Sequence, residues 1–361
     1  MSVRPVLDYA YLYARIRGKK AKLLSAGDYE RLYKSTSLTE LGRHLSGEGL
    51  VGEELTQLLL GEENQLPPTR DVDKALSLQF QNDLKRLTSQ LPKYTLEFVN
   101  VFKEKVFLDN LKIIIRGKHY GMTTEEIQSF LVTHLEKEME VLDNLASQPT
   151  VVQILENVPM SDYRRALQDH LDVYDETNSP LVLEMALSKN YYEKLWKASQ
   201  GLRTQDVEGV MALVGTEIDL TNLMTVMRAK HQGTTAEVIK QWLIPPAKKG
   251  LSQNVLNAMT DAPGLLQVNQ LLANTQYREL AQQASELFEG SEVTLDRFES
   301  LAKQFLVHRA TQQFVRLPFQ LGVLFAYLYL AEAQFQNIRA IVIGKVAGLK
   351  PELIREELIY F

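Results

Sequence analysis

The sequence predicts an all-α fold. Apolar residues recur every three or four positions along almost the whole chain. Capping signals stand where those runs begin, and no Asn-Gly or Asp-Gly pair lies between alternating strands. The 12 prolines gather at breaks, at Pro67–Pro68, Pro149, Pro159, Pro180, Pro245–Pro246 and Pro263, so connections are short. In chain order, the first helix is read over YLYARIRGK (11–19), and SLTELGRHLSGEGLVGEEL (37–55) reads as helix, tight turn, helix. In ALSLQFQNDLKRLTSQL (75–91), Ala75, Leu76, Leu78, Phe80, Leu84, Leu87 and Leu91 form one broad helical stripe. NLKIIIRGK (110–118) is a helix that a glycine stops, and Thr123–Thr124 ahead of Glu125–Glu126 opens the next. Glu136, Glu138 and Glu140 alternate along a helical stretch and share no face, which reads as solvated surface. A second pair, TVVQILENVPMSDYRRAL (150–167), precedes a long helix, PLVLEMALSKNYYEKLWKA (180–198), and NLMTVMRAK (222–230). Thr234–Thr235 before Glu237 opens another helix. A third pair, GLLQVNQLLANTQYREL (264–280), is followed by a long helix, RFESLAKQFLVHRATQQF (297–314). NIRAIVIGK (337–345) and a helix with Pro351 in its first turn, before Glu352, complete the chain.

The order repeats. NLKIIIRGK, NLMTVMRAK and NIRAIVIGK start 112 and 115 residues apart, and YLYARIRGK is a weaker fourth copy. After the lysine of each full copy, glycine follows at three residues, glutamate at seven and isoleucine at nine. In the pairs, Tyr163 falls on Tyr277 and Leu50, and Leu41 on Ile154 and Val268. Three copies of pair, long helix and core helix predict three similar modules, 1–113, 114–225 and 226–361, with pseudo-threefold symmetry. The extra core helix at one end should complete the lobe at the other, with the C-terminal helix packing on the first module. An open solenoid, each module touching only its neighbours, is the alternative architecture.

Composition excludes several classes of function. The chain has 361 residues, 45% hydrophobic and 24% charged, and its net charge of -5 argues against nucleic acid as the partner. Cysteine is absent, so disulfides and thiolate metal sites are excluded. No secretory signal is read at the N-terminus, because Asp8 and Arg15 interrupt its apolar stretch. The longest apolar run, LPFQLGVLFAYLYLA (317–331), is shorter than a span of roughly 20 residues, so it is expected to be a buried core helix. The Gly-Lys pairs at 18–19, 117–118 and 344–345 lack the upstream glycine of a phosphate loop. No two of the six histidines stand at i, i+4, and no aspartate-rich magnesium motif exists, so no metal or cofactor is expected.

The polar residues of the core helices are the candidate structural or interface residues: Asn110, Arg116, Asn222, Arg228, Asn337 and Arg339. A ligand role would make them a repeated site. An architectural role would have them hold neighbouring helices while the isoleucines fill the core. Ile343 stands where the last copy should have arginine, which weakens the ligand reading. A buried arginine needs a partner, and Glu217 and Glu332, each five residues before an asparagine, are the candidates. His119 and His231 occupy equivalent positions, matched by Lys20 and Val346, and are candidates for the wall of a cavity.

Taken together, YAYLYARIRGKKAKLL, AEVIKQWLI after NLMTVMRAK, and PFQLGVLFAYLYLAEAQFQNIRAIVIGK resemble the C subunit of the V/A-type rotary ATPases, whose eukaryotic relative is the V-ATPase d subunit. The C-terminal pattern is carried by Gly322, Val323, Ala326, Tyr327, Leu330, Glu332, Gln334, Asn337, Ile338 and Arg339. The last copy departs from the family in AIVIGK, and Tyr11 stands in the first where the others have asparagine. The resemblance implies a three-lobed, funnel-shaped protein with a central cavity. It would be a non-catalytic rotor part that couples the central shaft to the membrane proteolipid ring, cytoplasmic and peripheral, touching the membrane only through the ring. A helical scaffold that binds a partner helix or peptide is the second reading.

Overall fold

The structure, a computed structural model, describes residues 3–48, 53–60, 69–131, 136–246, 250–288, 295–316 and 318–361. Among the described residues the chain is all helix and turn, with no strand. Helix α1 (Val3–Lys20) is followed by α2 (Ala26–Lys34), α3 (Leu38–Glu48), α4 (Glu53–Leu60) and α5 (Thr69–Thr88). A 3₁₀ turn at Lys93–Thr95 leads into α6 (Leu96–His119). Next come α7 (Thr124–Phe130), α8 (Glu136–Ser147), α9 (Val151–Asn157), α10 (Ser161–Gln168), α11 (Leu171–Thr177), α12 (Pro180–Ser199) and α13 (Thr204–His231). The last stretch holds α14 (Ala236–Trp242), α15 (Gln253–Asp261), α16 (Leu265–Leu272), α17 (Arg278–Gln283), α18 (Leu295–Arg316), α19 (Gly322–Val346) and α20 (Pro351–Glu356).

Local chemistry explains many of the ends. Thr123 and Glu126 form the expected capping box on α7. Thr235 is the N-cap of α14, but its side chain makes no capping bond. Pro180 and Pro351 sit in the first turns of α12 and α20, where a missing N–H costs nothing. The three glycine stops take one geometry. Gly121, Gly233 and Gly348 have φ of 74°, 77° and 68°, the left-handed region that glycine enters without strain. In each, the next N–H reaches back five residues, as in Met122 N to Gly117 O at 2.9 Å, Thr234 N to Ala229 O at 2.9 Å and Leu349 N to Gly344 O at 2.8 Å. Each chain reversal then folds a short helix back, burying Ile127, Ile239 and Ile354. A Cβ on Gly117 would stand 2.6 Å from Ile127, and one on Gly344 2.7 Å from Ile354.

The predicted pairs are α3–α4, α9–α10 and α16–α17. Leu41, Ile154 and Val268 are wholly buried there, as are Tyr163 and Tyr277, whereas Leu50 and the Pro67–Pro68 break lie outside the described residues. Helix α12 runs along α6, α18 packs on both α13 and α19, and α1, α5 and α13 also meet α19. Of three apolar clusters, two draw on both ends of the chain: Tyr9, Leu12 and Ile16 join Leu330 and Ile359 in one, and Tyr29, Leu41, Leu55 and Val72 pack with Ile341 and Ile354 in another. Residues 322–331 of the long apolar run are all buried. One helix among the described residues, α13, is long and apolar enough to cross a membrane, yet 83% of that window is buried inside the protein. Its apolar surface is used in the core. Helices α13 and α19 cross backbone to backbone at Gly209 and Gly322, where a Cβ on Gly322 would lie 2.6 Å from the Gly209 carbonyl carbon.

Candidate functional site

The four copies of the nine-residue string end α1, α6, α13 and α19, and their polar residues hold neighbouring segments. Asn222 and Asn337 are buried and each clamps the backbone 22 residues on. Asn222 Nδ2 donates to Ile244 O at 2.9 Å, and its Oδ1 accepts from Ile244 N at 2.8 Å. Asn337 does the same with Ile359, at 2.6 and 2.8 Å. One amide side chain thus satisfies both polar groups of a buried residue, a replacement for backbone pairing where the described residues form no strand. Asn110 is also buried and donates to Val106 O at 2.9 Å; its counterpart to Ile244, residue 132, lies outside the described residues.

The arginines pair differently from expectation. Arg116 binds Glu184 through two bonds, 2.8 and 2.6 Å; Arg228 binds Glu299 at 2.5 Å; Arg339 binds Asp73 at 2.6 and 3.2 Å. Glu217 and Glu332 are not their partners. Asp73, Glu184 and Glu299 are each the fifth residue of a long helix, α5, α12 and α18. Nor is the arginine the buried member: the Arg116 side chain is 51% exposed and Glu184 5%, so the carboxylate bears the desolvation and the guanidinium relieves it. In the last copy, where Ile343 replaces the arginine, Arg339 supplies the cation from one turn earlier. The lysine that closes each of the three full copies is tied to the C-terminal end of another helix, directly or through a threonine, whereas Lys19 of the first copy pairs with Asp83 of α5 at 2.6 Å. Lys230 donates to Thr260 O at 2.6 Å at the end of α15, and Lys345 to Tyr33 O at 3.0 Å and to Ser35 O at the end of α2. Lys118 donates to Thr124, which donates to Ala146 O near the end of α8. Helix C-termini present unpaired carbonyls and a negative dipole end, so a lysine satisfies both.

Glu217 and Glu332 belong instead to a charge cluster. They stand five residues before Asn222 and Asn337, and the equivalent residue before Asn110 is Lys105. Lys105 Nζ lies 2.5 Å from Glu217 Oε1, whose other oxygen accepts from the Tyr329 hydroxyl at 2.5 Å. Burial would pull the Lys105 ammonium down, but Glu217 and Glu332 hold it well above its ordinary range. Burial would raise Glu217, but Lys105, Tyr329 and Tyr192 bring it below the usual carboxylate value. Glu332 is raised, by burial first and by Glu217 and Asp109 next, with Lys105 opposing. The Tyr329 phenol is raised by burial and by Glu217. Two equivalent acids therefore differ, because a single lysine is committed to one of them.

This cluster borders two cavities. The larger, about 1250 Å³, is walled mainly by α5, α6 and α19, with Phe80, Phe102, Ile113, Met160 and Phe335 among its lining residues. The smaller, about 300 Å³, lies between α6, α12, α13, α18 and α19. Lys105, Lys303, Glu332 and Gln336 line both. Glu138, expected on a solvated face, lines the larger. His119, His231 and Val346 line neither. His119 Nδ1 lies 3.0 Å from the Tyr174 hydroxyl, His231 is exposed, and Val346 packs on an apolar cluster that joins the chain ends. Among the described residues no three His, Asp or Glu side chains gather as a metal site.

Sequence reasoning did not single out Asp206. Its Oδ2 accepts from the Tyr9 and Tyr94 hydroxyls at 2.8 and 3.0 Å, and its Oδ1 accepts from Leu321 N at 2.9 Å. It ties α1, the 3₁₀ turn and the entry of α19 to the first turn of α13. Its sequence signal is slight, an aspartate in the first turn of a helix.

The model of the ATP synthase (C/AC39) subunit family matches residues 12–357. The chain belongs to that family. The A-type ATP synthase C subunit of Methanocaldococcus jannaschii is 31% identical over 97% of this chain and 86% of its own length. The C subunits of the A-type ATP synthases of Methanobrevibacter smithii and Pyrococcus furiosus are each 24% identical, over 99% and 96% of this chain and 90% and 89% of their own lengths. As a C/AC39 member, the chain matches the archaeal-type proteins along nearly its whole length, core helices included.

Proposed function

We propose that this chain is the non-catalytic central-stalk component of a V/A-type ATPase or ATP synthase. It is a socket that couples the central shaft to the proteolipid ring, lies peripherally on the cytoplasmic face, meets the membrane only through the ring and hydrolyses no ATP. The modules are 1–113, 114–225 and 226–361, with the C-terminal helix packing on the first, arranged about a pseudo-threefold axis as a funnel around a central cavity. The observation that carries this reading is the meeting of equivalent positions. Lys105, Glu217 and Glu332 occupy the same place in three core helices; all three line the smaller cavity, and Lys105 and Glu332 also line the larger, in a chain of the C/AC39 family. Helices related by an axis bring equivalent residues together at that axis.

The ion pair between Arg339 and Asp73 supports a closed arrangement over an open solenoid, in which the first long helix and the last core helix would stand at opposite ends. A packed helical body suits torque transfer, because close-packed interiors transmit strain rather than absorb it. The test is recovery of partners from membranes solubilised in mild detergent, with this chain tagged. Copurification of a shaft protein and a proteolipid ring is the expected result. Recovery of neither, from cells with an intact rotary ATPase, overturns the proposal.

A further inference from the structure

We propose that Glu332 receives a lysine or arginine side chain from the helical tip of the partner that fills the larger cavity. The inference rests on the socket reading above and names the chemistry of its contact. The other acids around the cavity are mostly committed. Asp73 holds Arg339, Glu104 holds Lys194 and Tyr163, and Asp109 lies 3.4 Å from Lys112. Glu217 takes Lys105 and Tyr329, and Lys303 is bonded to Glu299 at 3.0 Å. Glu332 makes no hydrogen bond or ion pair among the described residues, although it is half-buried and lines both cavities. Glu332 is thus the carboxylate of this cluster that has no direct partner, with Lys105 committed to Glu217 and Lys303 to Glu299.

The cavity suits a helix end. Its 1250 Å³ accommodates about two turns of an α-helix 10–12 Å across. Phe80, Phe102, Ile113, Met160 and Phe335 line it and are only half-buried, leaving apolar surface for a guest to cover. An apolar wall with one central unpaired carboxylate fits an amphipathic helix that carries a cation near its tip. Burial raises Glu332 and Glu217 and Asp109 add to it, with Lys105 and Lys303 opposing; a guest cation would relieve that cost.

The test is a binding titration of the purified full-length chain against the central-shaft protein of the same ATPase, at low and high salt. Glu332→Gln keeps the shape and removes a disfavoured charge, so its melting temperature should stay at or above wild type. Its shaft affinity should fall about tenfold to a hundredfold, with a flatter salt dependence. Glu332→Lys should abolish binding, and a Lys→Glu or Arg→Glu change at the shaft tip should restore it. The exposed Glu357, also at the cavity wall, is the control: Glu357→Gln should bind as wild type. Wild-type affinity and salt dependence in folded Glu332→Gln overturn the inference alone. Failure of the wild-type chain to bind the shaft overturns the socket reading and this inference with it.

Discussion

Single side chains replace much of the backbone pairing that a helical protein lacks between its segments. Asn222 is fully buried and holds both polar groups of Ile244. Asn222→Ala would leave that N–H and C=O without partners, at about 1–3 kcal/mol each, so urea denaturation should show a loss of about 2–4 kcal/mol. A loss under about 0.5 kcal/mol would mean that the clamp is ornamental. Asp219 makes a separate prediction. It is buried at 1% exposure, its Oδ2 accepts from Leu251 N at 2.9 Å and the Tyr277 hydroxyl at 2.6 Å, and its Oδ1 has no hydrogen-bond partner among the described residues. Burial pushes its carboxyl from 3.8 up to about 6, against the bonds from Tyr277, Leu251 and Gln276. The folded state then holds the proton more tightly than the unfolded chain between about pH 4 and pH 6. Its contribution to stability therefore falls as pH rises through that window, by roughly 3 kcal/mol at most. The wild-type stability minus that of Asp219→Asn should grow as pH is lowered from 6 to 4. A difference that is flat, or that shrinks on acidification, contradicts the assignment.

Two glycines in helices separate propensity from packing at the level of elements. Gly18 in α1 has open space where a Cβ would stand, with nothing within 4 Å, so Gly18→Ala should stabilise by up to about 1 kcal/mol through helix propensity. Gly322 faces the backbone of Gly209, which cannot step aside as a flexible side chain would. Gly322→Ala should force α13 and α19 apart and cost about 1–3 kcal/mol. Thermal melts of the two variants should move in opposite directions, and a stabilised Gly322→Ala would contradict the crossing. How much is legible in the sequence follows the same division. The long helices, the three glycine stops and the pairs are readable, because capping and periodicity are local. Helices α2 and α15 are not anticipated, although Ser25 with Asp28 and Ser252 cap them, because they lie outside the recognised repeat. The acids that meet the arginines escape for another reason. Proximity in sequence points to Glu217 and Glu332, whereas helix packing brings Asp73, Glu184 and Glu299 from other helices. The Gly209–Gly322 crossing leaves no trace that a single sequence could distinguish from any helical glycine.

Contacts between the two ends of the chain matter most for the molecule as a whole. Arg339 to Asp73, Lys345 to the end of α2, and a shared apolar cluster join the last core helix to the first helices. Asp73 is 3% exposed and Arg339 40%, so Arg339→Ala would leave a buried carboxylate unpaired. After allowing for the exposed guanidinium, the loss should be about 1–3 kcal/mol. Hydrogen exchange should quicken in α2, α5 and α20 before α9 or α10, and uniform exchange would contradict a localised closure. The central claim, that the interior cavity seats the rotor shaft, can be read with one engineered residue. The chain has no cysteine, so Gln336→Cys is a unique label, and Gln336 is exposed and lines both cavities. Cross-linking from that position with a maleimide-coupled photoreactive reagent in the intact membrane complex should capture the shaft protein and leave rotation-coupled ATP turnover intact, because shaft and socket turn together. A cross-link to a stator or catalytic component, or none in an assembled and active complex, would contradict the account.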